Sequence, residues 1–234
     1  MAPVRFRGTP LALSAALADV EVPAGGLTVR LAAARDLRAA DEISAWSSPS
    51  DPILRLHLPR TTPPGTYEAR MKVGDVDRDV VITVEPEVCL RFLPERLVFE
   101  AQPGERVSFD LTMLNLGNVE VEIRGAYAFG VFDVGGTERA IARMVSETPA
   151  EGRGRVDVLA DAVADEHGGL VRLKVDRGSG PIAAGASREV AITVHVPDRI
   201  RDGHTYWGTW PIHNMRYYVR ITGRGEPRTK ATHD

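Results

Sequence analysis

The chain has 234 residues, 43% apolar and 26% charged, with 29 basic and 32 acidic side chains for a formal charge of −3. That apolar content can bury a core and excludes global disorder, while the balanced charge excludes a chain-wide polycation built for nucleic acid. The single cysteine, Cys89, excludes an intramolecular disulfide framework and any multi-cysteine metal site, and no stretch approaches the roughly 20 apolar residues of a membrane span.

Near the N-terminus, Arg5 and Arg7 precede a run of eight apolar or small residues at 11–18, with Ala16 and Ala18 spaced like a signal-peptide cleavage site. The run is short and follows Pro10 directly. Leu11 and Leu13 alternate, so the expectation is a strand. A period of two then dominates the chain. Leu27, Val29 and Leu31 alternate with polar residues, as do Leu54, Leu56 and Leu58, then Val107, Phe109 and Leu111, then Ile192, Val194 and Val196. Such alternation places one face on a core and the other in water, the mark of antiparallel sheet. Turn signals separate the runs at Pro23 to Gly26, Pro63 to Gly65, Gln102 to Glu105 and Leu116 to Asn118. Many short strands at this spacing predict β-sandwiches. An excursion over about 134–187 is predicted to hold one short helix at 137–146, with Ile141, Met144 and Val145 on one face. Within it, 156–158 and 170–173 read as strands, and 223–234 reads as a polar tail.

An internal repeat divides the chain. Leu54 to Pro59 followed by Gly65, Thr66 and Tyr67 recurs as Ile192 to Pro197 followed by Gly203, His204, Thr205 and Tyr206. The offset is 138 residues at the strand and 139 at the tyrosine, and each copy ends in a β-branched run, at 80–84 and 217–221. Three strands in one order, twice, predict two similar domains in tandem. The expected boundaries are 1–86 for the first, 87–225 for a larger second holding the excursion, and 226–234 for the tail. The join at 85–88 is too short for a flexible linker.

Residues 93–123, LPERLVFEAQPGERVSFDLTMLNLGNVEVEI, combine a proline-bearing first strand, a Pro-Gly turn, and a second strand running into Asn115 to Asn118. This pattern resembles the opening of bacterial immunoglobulin-like domains of the CARDB type and of the PapD and major-sperm-protein superfamily. PPGTY at 63–67 is similar to the stretch before the penultimate strand of such domains. The resemblance spans most of both domains and fades within 134–187. It implies two immunoglobulin-like antiparallel β-sandwiches, the second enlarged by the insertion. It also implies roles in adhesion, assembly or chaperoning, or as accessory modules of larger proteins.

Tyr67 and Tyr206 open matching strands, a placement that predicts tyrosine corners: ring in the core, hydroxyl on a backbone carbonyl. His57 and His195 are likewise repeat-equivalent and read as ordinary residues of the polar faces. The stretch 204–218 is the most unusual, with two of the three tryptophans and three of the five tyrosines. Tyr206, Trp207, Trp210 and His213 are the candidate binding residues, because strand-borne aromatics offer a platform to a protein partner or a sugar ring. Alternation puts Tyr206 and Trp210 on one face and Trp207 on the other, so one tryptophan is expected in the core. His195, His204 and His213 follow no metal-ligand spacing, and the expectation is no metal and no cofactor. Asp165, Glu166 and His167 read as a loop tip. No nucleophile motif, paired-carboxylate arrangement or phosphate-cradling loop is present in the sequence. The expectation is a non-enzymatic structural or assembly protein that contacts a protein partner or its own copies through sandwich faces and edges. The alternative is a carbohydrate-binding accessory module using the C-terminal aromatic strand.

Overall fold

The computed structural model describes residues 3–16, 27–32, 43–48, 51–73, 76–213 and 215–225. The turn expected at 23–26 and the tail expected at 226–234 lie outside them. The chain folds mostly into β-strands, with two helices, and divides into two compact units. One comprises 1–90 with 114–121 and 182–186, the other 91–113, 122–181 and 187–234.

The first unit contains β1 (Val4–Gly8), β2 (Leu13–Ala16), β3 (Leu27–Ala32), β4 (Ile43–Ser48), β5 (Asp51–Leu56), β6 (Gly65–Val73) and β7 (Val76–Val84). The segment with signal-like flanks is therefore a strand over 13–16, where buried Leu13 and Ala15 alternate with exposed Ser14 and Ala16. The ladder runs β1-β2-β5-β4-β3-β6-β7 and closes, because β1 pairs antiparallel with β2 and parallel with β7, Val4 opposite Val80 through Gly8 opposite Val84. Closure leaves neither β1 nor β7 as a bare edge. Every second side chain enters the core: Val4 and Phe6, Leu54 and Leu56, Val80, Ile82 and Val84. Burial of each such side chain contributes about 1.5–3 kcal/mol.

Two buried asparagines organise the chain around 85–90. Asn115 donates from Nδ2 to the carbonyls of Val119 (2.7 Å) and Ile182 (3.0 Å) and accepts the Gly117 N–H (3.0 Å). Asn118 accepts the Glu87 N–H (2.6 Å) and donates to the Glu85 carbonyl (2.9 Å). The Leu116 N–H donates to the Cys89 carbonyl at 2.7 Å. Gly117 is required by close approach: a Cβ there would lie 2.1 Å from the Glu87 carbonyl oxygen. The Leu-Gly-Asn signal at 116–118 is thus a hub that satisfies the backbone of 85–89.

The second unit follows with β8 (Leu90–Leu93), β9 (Arg96–Ala101), β10 (Arg106–Asn115), β11 (Val121–Ile123), β12 (Ala126–Asp133), α1 (Gly136–Ser146), α2 (Arg155–Asp165), β13 (His167–Arg177), β14 (Gly180–Ile182), β15 (Ser187–His195), β16 (Thr205–Ile212) and β17 (Met215–Gly223). The main ladder runs β8-β10-β15-β13-β12-β16-β17-β9, and β11 pairs with β14. Repeat-equivalent strands hold matching places: β5 and β15, β6 and β16, β7 and β17. The parallel partner of β7 is β1, and that of β17 is β9. Where β1 is one strand serving both ends of its ladder, β8 and β9 are two, interrupted at Pro94, which has no N–H to give to a ladder.

Two sequence expectations within the excursion are corrected. Residues 156–158 are not a strand but the first turn of α2, and the excursion has two helices. The Asp157 carboxylate accepts the Gly154 N–H at 2.7 Å, and Val158 and Ala162, four residues apart, form the buried stripe. Helix α1 lies where expected but with another face inward. Gly136 and Ala140 are buried, while Ile141 and Val145 are exposed. Small residues win because the approach is close: a Cβ on Gly136 would lie 2.8 Å from Glu166 Cβ.

Candidate functional site

Strand β16 separates its aromatics as alternation requires. Tyr206 and Trp210 are buried, at 1% and 0% exposure, whereas Trp207 is 48% exposed. Trp210 packs edge-on against Tyr127 (centroids 5.1 Å) and Tyr217 (5.9 Å), with Phe92 at 5.9 Å. Burial pushes the Tyr217 hydroxyl up to about 12, and that hydroxyl donates to the Pro94 carbonyl at 2.7 Å. Trp210 and Tyr206 are therefore core, out of reach of a ligand at the surface, and this corrects their place among the binding residues. His213 sits at the end of β16 with a left-handed φ of 52°, its Nε2 2.9 Å from the Glu122 carbonyl oxygen. Its ring serves a turn rather than the face that carries Trp207.

The exposed residues around Trp207 form a row set by register. Phe132 of β12 lies opposite Trp207, Trp207 opposite Arg220 of β17, and Arg220 opposite Val98 of β9. The next row places Thr209, Tyr218 and Arg96 side by side. Phe132, Trp207, Val98 and Tyr218 are each about half exposed, and the rings of Phe132 and Trp207 are 6.4 Å apart. A groove of about 540 Å³ runs between Trp207, Tyr218, Arg96, Val98, Arg220 and Glu95. Arg91 pairs with Glu95, but Arg96 and Arg220 make no ion pair or side-chain hydrogen bond among the described residues. The groove thus offers two uncommitted guanidinium groups beside two exposed rings.

A second constellation went unforeseen from the sequence. Asp133, its side chain 2% exposed at the end of β12, receives Arg139 Nη2 of α1 (2.7 Å), Arg201 Nη2 (3.1 Å) and His204 Nδ1 (2.6 Å). Glu166, just before β13, accepts Arg139 and Arg201, both at 2.7 Å. The Tyr206 hydroxyl accepts the Arg201 N–H at 3.1 Å and faces its Nε at 3.3 Å. This differs from the expected corner, since the hydroxyl meets a backbone N–H rather than a carbonyl; Tyr67 does donate to the Pro63 carbonyl, at 2.7 Å. Arg139, then Arg201, hold the Glu166 carboxyl below its usual range, and the Arg139 guanidinium is raised by the same two acids. His204 and Asp133 have the geometry of a base and its orienting carboxylate, but among the described residues no hydroxyl or thiol is hydrogen-bonded to that imidazole. The arrangement ties α1 and the segment before β16 to the ends of β12 and β13. Its signal in sequence is faint, because its contacts join positions as far apart as 27 (Arg139 and Glu166) and 71 (Asp133 and His204). His195, His204 and His213 have separate surroundings, and among the described residues no group of three His, Cys, Asp or Glu is placed to hold a metal ion.

No protein-family model matches the chain, and no curated protein does. Among solved structures it is similar to domains 4 and 5 of the S-layer protein SbsC, at 12% identity and a TM-score of 0.30, covering 90% of this chain and 76% of that one. It is also similar to the I9–I11 tandem of titin (10%, TM-score 0.26, covering 95% and 64%). A third is the ASH/PapD-like domain 7 of human CEP192 (13%, TM-score 0.27, covering 58% and 87%).

Proposed function

We propose that this is a non-enzymatic structural or assembly protein, built of two immunoglobulin-like sandwiches in tandem that divide near residues 85–88. It contacts a protein partner, or another copy of itself, through the outer face of β16, β17 and β9. The observation that carries this reading is the exposed Trp207–Tyr218 surface flanked by the uncommitted Arg96 and Arg220. Trp, Tyr and Arg are the residues that dominate binding energy at protein interfaces. The two guanidinium groups favour a partner that brings acidic side chains to the rim and an apolar group to the rings. The tandem arrangement is supported by the 138–139 offset, whose strands hold matching places in the two ladders.

The test combines light scattering of the purified chain over a concentration series with cross-linking in native cells, read by mass spectrometry. The expected result is a self-contact or partner contact mapping to 96–98, 207 and 218–220, lost in Trp207→Glu. A monomer at every concentration, with no cross-link to this face, would sink the reading. Glycan binding abolished by Trp207→Ala would instead favour the carbohydrate-binding alternative.

A further inference from the structure

A different face of the second unit carries a charge excess. Arg172 of β13 lies directly opposite His195 of β15, and Lys174 opposite Thr193. On the other flank of β15, Ser108 Oγ of β10 is 3.2 Å from Thr193 Oγ1, and the Val196 N–H donates to the Glu105 carbonyl at 2.9 Å. These contacts fix a register that puts Arg106 beside His195. Two parallel rows result: Arg106, His195, Arg172 and Ala128 in one, Ser108, Thr193, Lys174 and Ala126 in the other. Adjacent strands are about 4.8 Å apart, so the two guanidinium groups and the imidazole can converge on one group above the sheet. The surface is concave there, a bowl of about 630 Å³ lined by Arg106, His195, Arg172, Lys174 and Thr193 with Ala126 and Tyr127.

The rows are satisfied differently. Lys174 pairs with Asp176 at 2.8 Å, and Thr193 donates to the same carboxylate at 2.6 Å, which holds the Asp176 carboxyl below its usual range. Beyond them, Arg177 faces Asp110 at 3.5 Å. In the first row, Arg106, Arg172 and His195 have no ion pair or side-chain hydrogen bond among the described residues. Like charges placed together across strands destabilise a sheet, and the same sheet neutralises its cations one row away. Arg106, Arg172 and Lys174 against Asp176 leave two positive charges in the bowl, in a chain whose formal charge is −3.

We propose that the Arg106–His195–Arg172 row is a binding site for a multiply charged oxyanion, a small molecule bearing phosphate or carboxylate groups. Guanidinium forks suit either group bidentately, and the imidazole adds a central donor when protonated. The exposed Ala126 leaves one side of the bowl clear for the rest of the ligand.

Isothermal titration of the full chain with pyrophosphate, inorganic phosphate and citrate, at matched ionic strength, tests the site. Binding of pyrophosphate or citrate is expected, weakened about tenfold by Arg106→Ala and by Arg172→Ala. Arg220→Ala, on the other face, should leave it unchanged, and Asp176→Asn should tighten it. Preference for pyrophosphate assigns the site to phosphate ligands, and preference for citrate to carboxylates. No heat with any probe at millimolar concentration overturns the proposal, as does binding that Arg220→Ala abolishes and the two row variants do not. All of these side chains are exposed, so circular dichroism of each variant should match the parent.

Discussion

Strands β6 and β16 hold the same place in their ladders and each carry a tyrosine near their start, yet they present different surfaces. The exposed positions of β6 include Thr66, Glu68 and Arg70, with Arg70 3.6 Å from Asp79 across the pair to β7. The exposed positions of β16 include Trp207 and Pro211, and across from them stand Arg220 and Arg216 of β17. Inside, the order is the same but the contrast is greater: Ala69 and Met71 follow Tyr67, whereas Gly208 and Trp210 follow Tyr206. Gly208 is small because a Cβ would lie 2.6 Å from the Gly130 carbonyl oxygen. The tyrosine is thus architecture, common to both strands, and Trp210 is the second unit's own core. Trp207 is the residue that neither requirement explains.

Trp210→Ala should break the comparison most severely. It empties the centre of a cluster formed with Phe92, Tyr127 and Tyr217, and should cost about 3–5 kcal/mol in a denaturant-unfolding series. A loss below about 1 kcal/mol would mean that the cluster is not the core it looks to be. The two tyrosines should separate next. Tyr206→Phe strands the Arg201 N–H and loosens the Arg201 guanidinium beside Glu166, for about 1–3 kcal/mol. Tyr67→Phe removes a hydrogen bond at an exposed hydroxyl, for about 0.5–1.5 kcal/mol. Equal losses from the two would mean that the Arg201 contacts add nothing to the second corner.

The third difference appears only in acid. Arg139 and then Arg201 lower the Glu166 carboxyl in the folded state, so this group stabilises the protein fully above its unfolded value of about 4.3. That contribution is lost as pH falls through the lower folded value. Glu166→Gln should therefore flatten the decline of stability below about pH 4.3, measured by thermal melting across a pH series. An unchanged profile would show that Asp133 alone anchors the two arginines.

Much of this was legible in the sequence because the sheet repeats every two residues. Leu54 and Leu56, or Ile192 and Val194, declare their inward faces without any knowledge of the partner strand. The same alternation sorted Trp210 from Trp207, although it could not say that Tyr206 and Trp210 would both be fully enclosed. The helices were harder to read. The outer face of α2 carries Val156 and Val163 while its packing is done by Val158 and Ala162, so an alternating Val-Asp-Val looked like a strand. In α1 the largest apolar residues point outward, because contact with the chain before β13 needs Gly136 and Ala140. The Asp133 cluster and the Arg106–His195–Arg172 row are facts of register and of chain reversal. Neither has a local signature, since their members stand opposite one another only after the strands have paired.

The smallest expected effect on stability belongs to Trp207→Ala, and it is the most telling. Trp207 is half exposed, and its outward neighbours Phe132 and Arg220 remain in register without it. Surface substitutions of this kind change stability by about 0.5 kcal/mol or less. Packing does not explain a large ring left in water beside the uncommitted Arg220, whereas an interface centre does. Unfolding of Trp207→Ala should therefore coincide with that of the parent, while the self-contact or partner contact mapped to this face disappears. A loss of stability comparable to that of Trp210→Ala would mean that Trp207 belongs to the core after all, and the face would lose its claim as a contact surface.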